Sequence, residues 1–195
     1  MRFECSDEVG HAPDLVFHLL RDDMDSLLPY LEDVESIEVV ERREEEGGVR
    51  ITNLWRGSTR KAPSVVQKVL TPDLVSWTDY AFWVTAARRA EWRLEPRVGG
   101  RLFECKGTTT IGPGARDDAC RIQIQGELNV YPERLPGVPR IMAGALRGKV
   151  EQFICDMIVP NMKTMSRGVQ RCFDDRRRAG GDAAGGAQAG ASAGP

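Results

Sequence analysis

The chain has 195 residues, 41% of them hydrophobic and 29% charged, with a formal net charge of -2; these are the proportions of one globular domain with a sizeable core. The near-neutral balance gives no general attraction to nucleic acid or anionic membranes, and no apolar run approaches the ~20 residues of a membrane span. Acids follow Met1-Arg2-Phe3 where a signal peptide would need an apolar core, and the five cysteines form no CxxC pair, so reduced thiols in a cytoplasmic protein are expected.

Residues 2–9 suit a first strand, with Phe3 and Cys5 on one face. Pro13 and Asp14 suit the first turn of a helix, and Leu15, Val16, Leu19 and Leu20 follow at helical spacing. A second short helical piece is expected over 25–31, with Pro29 limiting its regularity. From Val34 to Tyr131 the period becomes two. Strands are expected over 37–43, 49–56, 65–70, 75–83, 90–94 and 102–111. Val75, Trp77, Asp79, Ala81 and Trp83 share one face. The last strand alternates most cleanly: Cys120, Ile122, Ile124, Gly126, Leu128 and Val130 against Arg121, Gln123, Gln125, Glu127 and Asn129. Such alternation means one wet and one buried face, the mark of an antiparallel sheet of about seven strands.

Beyond the proline-rich link at 132–139, Leu146, Val150, Phe153, Met157, Met162, Met165, Val169 and Phe173 recur three to five residues apart, with charges between. They predict one amphipathic helix of about 30 residues, roughly 45 Å long, kinked by Pro160. Residues 179–195 are mostly Gly and Ala, with too little apolar surface to offset their ordering entropy. The expected division is therefore a domain at 1–178 and a disordered tail at 179–195.

The order of strand, two short helices, antiparallel strands and one long helix resembles the START-like superfamily, also called SRPBCC. That superfamily includes START lipid-transfer domains, birch-pollen-allergen-like proteins, polyketide cyclases and coenzyme Q-binding proteins. Local resemblances are Val66-Gln67-Lys68-Val69-Leu70 leading to Trp77, the pair Trp83 and Trp92 around a basic hairpin, and Pro136-Gly137-Val138-Pro139 leading into the helix through Glu151, Phe153 and Pro160-Asn161. The resemblance implies an α+β helix-grip fold, a curved antiparallel sheet wrapped around the C-terminal helix. It also implies a hydrophobic ligand held between them. No short signature accompanies the superfamily, so no catalytic residue is carried over.

A strongly curved sheet is not filled along its length by one helix. The inward candidates for a ligand site are Ile51, Trp55, Val75, Trp77, Trp92, Phe103, Ile122, Ile124, Met157 and Met165, with Asn53, Asp79 and Thr109 as polar groups on the same faces. Tryptophan and methionine suit flat or flexible apolar ligands. Singly, each has core packing as its simpler role; as a set they fit a cavity. Asp79 stands either in water at a strand end or buried with a raised pKa.

His11 and His18 are the only histidines and lie seven apart, so no metal site is expected. There is no phosphate loop and no nucleophile elbow, and no cofactor is expected. The leading reading is binding or transport of a lipid, isoprenoid or polyketide-like molecule, with no nucleic-acid partner. Transient contact with a membrane surface stays compatible with the sequence. The alternatives are a polyketide cyclase or aromatase using Asn53, Asp79 and Tyr80, and a protein-interaction module.

Overall fold

The computed structural model describes residues 1–60, 71–98, 102–131, 134 and 140–188; within its last helix, the side chains at 140–147, 150, 153, 157 and 180–188 are outside that description. The expected strand at 65–70, the proline-rich link and the Met157 side chain therefore lie outside the described residues.

Among the described residues, seven strands form one sheet in the order β1-β7-β6-β5-β4-β3-β2. They are β1 (Arg2–Val9), β2 (Val34–Glu45), β3 (Gly48–Gly57), β4 (Ser76–Val84), β5 (Arg89–Pro96), β6 (Phe103–Pro113) and β7 (Cys120–Val130). All neighbours are antiparallel. From β2 to β7 the sheet is a meander, and β1 closes onto β7, so β1 and β2 occupy opposite edges. Between those edges the chain runs through α1 (Pro13–Asp22) and a 3₁₀ segment (Met24–Tyr30).

Proline at the start of α1, Asp14 in its first turn and Arg21 in its last match the helix dipole. Its buried stripe is Val16, Phe17, Leu19 and Leu20, while Leu15, which shares the helical spacing, is exposed. The second piece is 3₁₀ rather than α, with Leu27 buried and Pro29 inside it. A proline lacks the N–H an α-helix would use at that point. Val75 belongs to a 3₁₀ turn (Pro72–Val75) ahead of β4.

The inner face of the sheet follows the alternation read from the sequence: β4 buries Trp77, Asp79, Ala81 and Trp83 and turns Thr78, Tyr80, Phe82 and Val84 outward. The edge strand β2 departs from it. Val39 and Val40 are exposed, and register shifts fall between Val34 and Ser36 and between Val39 and Glu41. Bulges and charges such as Glu41, Arg42 and Arg43 discourage pairing at an open edge.

The last helix, α2 (Arg140–Gln188), crosses the inner face and contacts β1, β7 and the 3₁₀ segment. It starts earlier than the hydrophobic pattern alone predicts and takes in part of the Gly/Ala-rich stretch. Polar ties fasten its second half. Ser166 Oγ donates to Asp7 Oδ2 at 2.6 Å, Gly10 N–H donates to Gln170 Oε1 at 2.8 Å, and Tyr30 Oη donates to Asp175 Oδ2 at 2.7 Å. Arg176 bonds both Asp23 and Ser26. Among the described residues no helix is long and apolar enough to cross a membrane.

Candidate functional site

Between the concave sheet and the middle of α2 lies a narrow hollow of about 60 Å³. The sheet supplies Trp55 from β3, Trp77, Asp79, Ala81 and Trp83 from β4, Trp92 and Leu94 from β5, Thr109 from β6 and Ile124 from β7. The helix supplies Ile158, Asn161, Met162 and Met165, one face at spacings of three, four and seven. Leu20, Met24 and Val34 complete it. All four tryptophans of the chain thus border one space.

Strand register brings the polar groups together. Asn53 on β3 lies directly opposite Asp79 on β4, and Trp55 opposite Trp77. Trp55 is therefore the diagonal neighbour of Asp79, within reach of a large side chain. Asn53 Nδ2 donates to Asp79 Oδ2 at 3.3 Å, a long bond, and the Trp55 and Trp77 rings stack at 6.0 Å. Asp79 is only 8% exposed. Burial drives its carboxyl up to about 7, opposed in part by Asn53 and the neighbouring Trp55 indole. That indole N–H lies near enough to favour the carboxylate, yet makes no hydrogen bond of good geometry; Asn53 Oδ1, Trp55 Nε1 and Asp79 Oδ1 are all buried without a partner. Each orphan costs about 1–3 kcal/mol, and three of them weigh appreciably against a net stability of about 5–15 kcal/mol.

A second polar pair sits beside the first. Trp92 Nε1 donates to Thr109 Oγ1 at 3.1 Å, both buried. The Trp92 indole lies over Gly107, its partner across β5 and β6. A Cβ there would come 2.5 Å from the ring and 2.2 Å from the Gln125 carbonyl oxygen, so only glycine lets this tryptophan lie flat. Cys105, close enough to feel the Asp79 charge, is pushed up to about 12, mainly by burial.

A wider groove of about 820 Å³ runs between α2 and Tyr30, Glu32 and Asp33, with Ser58 beyond the end of β3. Its helix side includes Gln152, Asp156, Thr164, Arg167 and Arg171. Asn161 borders both the groove and the inner hollow.

Of the residues expected at a site, Trp55, Trp77, Asp79, Trp92, Thr109, Ile124 and Met165 line the hollow, and Asn53, on the same inward face of β3 as Trp55, bonds Asp79 beside it. Ile51, Val75, Phe103 and Ile122 are buried in the surrounding core and do not line it. Ala81, Trp83 and Leu94 were missed although they share strand faces with the chosen residues. Ile158 and Asn161 were missed: Ile158 stands next to Met157 in the apolar pattern, and Asn161, being polar, falls outside it.

No family model and no curated protein matches the chain. Solved structures do resemble it. A Thermus thermophilus protein, 20% identical, overlaps 88% of this chain and 96% of its own with a TM-score of 0.61. The Zhui aromatase/cyclase of a Streptomyces species, 14% identical, overlaps 92% and 95% with a TM-score of 0.64. A START superfamily protein from Mycobacterium smegmatis, 13% identical, overlaps 85% and 97% at 0.44. At these identities the likeness is one of fold: with the Thermus and Streptomyces structures the chain shares the helix-grip fold, a curved antiparallel sheet around a long C-terminal helix.

Proposed function

We propose that the protein binds a small, mainly apolar molecule between the inner face of the sheet and α2, with the polar end of that molecule against Asp79. The observation that carries this reading is the trio of orphaned polar atoms on a wall otherwise made of indole and aliphatic groups. A bound molecule that supplies their partners recovers the free energy they cost. The hollow of about 60 Å³ is far smaller than the ~300–1,000 Å³ of a pocket that takes a drug-sized ligand. A lipid, isoprenoid or polyketide-like body therefore parts α2 from the sheet as it enters. Asn161, on the boundary between groove and hollow, marks the side from which it comes.

Native mass spectrometry of the purified protein and displacement of a dansylated fatty acid test this reading. A bound apolar species, or displacement by one ligand class, is expected, and Ala81→Leu should abolish it by filling the hollow while leaving the circular dichroism spectrum intact. No bound species and no displacement across lipids, isoprenoids and aromatic polyketides would sink it.

A second reading has one observation behind it. A carboxyl at about 7 is poised to exchange a proton at neutral pH, and the same fold serves an aromatase/cyclase in Streptomyces. Such chemistry also needs a second positioned group. Thr109 is engaged by Trp92 and Cys105 is held far above neutrality. Asp79→Asn separates the two readings: a binder keeps its ligand, whereas an enzyme of this kind loses turnover.

A further inference from the structure

We propose that Asn53, Trp55 and Asp79 form a hydroxyl-recognition site, which takes the single alcohol or phenol group of an otherwise apolar ligand. This rests on the hollow being a ligand site, and it adds what the ligand must carry.

Three atoms lack partners: Asn53 Oδ1, Trp55 Nε1 and Asp79 Oδ1. The amide oxygen accepts only and the indole N–H donates only. The carboxyl oxygen accepts when ionised and donates when protonated, and burial leaves both forms accessible near neutral pH. With Asp79 protonated, the trio offers two donors and one acceptor. A hydroxyl has two lone pairs and one hydrogen, the matching complement. With Asp79 ionised, the hydroxyl donates to the carboxylate and accepts from Trp55, a charge-assisted bond replacing one neutral bond.

Other head groups fit less well. A ketone or ether only accepts, so it leaves Asn53 Oδ1 orphaned in one state and both acceptors orphaned in the other. A carboxylate would meet Asp79 as a like charge in a buried site. A hydrocarbon leaves all three orphans. A protonated amine satisfies the acceptors and leaves the Trp55 N–H unmatched.

Register makes the trio a built site. Asn53 and Asp79 are directly paired across β3 and β4, and Trp55 is fixed by its stack on Trp77. All three residues are more than nine-tenths buried. The remaining polar groups bordering the hollow are Thr109, already taken by Trp92, and Asn161 on the opposite, helical wall.

Isothermal titration of the full chain with 4-octylphenol and with 4-octylanisole isolates the hydroxyl, since the two share an apolar body. The phenol should bind about tenfold or more tightly than the methyl ether. Asp79→Leu, which puts an apolar side chain of similar size in place of the carboxyl, should erase that preference while still binding both compounds. Trp55→Phe, which keeps the ring and removes the N–H, should narrow it. Equal binding of both compounds to the unaltered protein, or a preference that survives both substitutions, overturns the proposal and leaves the ligand-binding reading standing. Failure of both compounds to bind overturns the two together.

Discussion

Where the second half of α2 crosses β1 and the 3₁₀ segment, polar side chains meet polar partners: Ser166 with Asp7, Gln170 with the Gly10 amide, Tyr30 with Asp175, Arg176 with Asp23. Under the middle of the same helix, the wall made by β3 and β4 holds a carboxyl, an amide and an indole with an unpartnered atom on each. Among the described residues these are the only buried side-chain nitrogens and oxygens without a partner. One helix is thus clasped at one part of its length and faces unmet demand at another. The clasp explains how α2 is held; the wall marks where something else is expected to bind.

The contrast is sharpened most by pH. The folded pKa of Asp79, about 7, lies above its unfolded value of 3.8. Between those values the native state holds the proton more tightly. Stability present below pH 4 is therefore lost as pH rises through about 4 to 7, by on the order of 4 kcal/mol. Urea denaturation at pH 4.5 and 8 should show this loss in the unaltered protein relative to Asp79→Asn. Parallel curves for the two would remove the strained carboxyl from the account. Next in size is Gly107→Ala, whose methyl would strike the Gln125 carbonyl and the Trp92 ring. It should cost about 3 kcal/mol, read as a lowered denaturation midpoint, and should weaken ligand binding as Trp92 leaves the wall. Thr109→Val removes the acceptor of the Trp92 N–H and should cost about 2 kcal/mol by the same measurement. Ser166→Ala breaks the clasp at Asp7. It should cost about 1 kcal/mol and leave the affinity measured by isothermal titration unchanged, since it does not touch the wall.

Much of this architecture is legible in the sequence because period two and period 3.6 report burial directly. The Trp77–Trp83 face of β4 passes unchanged into the structure, and in β7 Cys120, Ile122, Ile124 and Leu128 are buried as the alternation predicts, with Gly126 and Val130 half-buried. Legibility fails where tertiary geometry decides. Periodicity does not distinguish Ile122, which packs in the surrounding core, from Ile124, which borders the hollow on the same strand face. Leu15 and Phe17 show the same limit on α1, where the angle of docking selects which apolar residues turn inward. The pairing of Asn53 with Asp79 depends on the register between β3 and β4, which runs from Gly48 opposite Val84 to Arg56 opposite Ser76. The sequence left Asp79 between water and burial; only that register places it inside.

The confinement of all four tryptophans to the border of one hollow makes the protein its own optical gauge. Under excitation selective for indole, the emitted light originates around that space and nowhere else in the chain. An occupant that displaces water, quenches a ring or separates the Trp55–Trp77 stack would change colour and brightness together, so arrival and departure can be timed without attaching a dye.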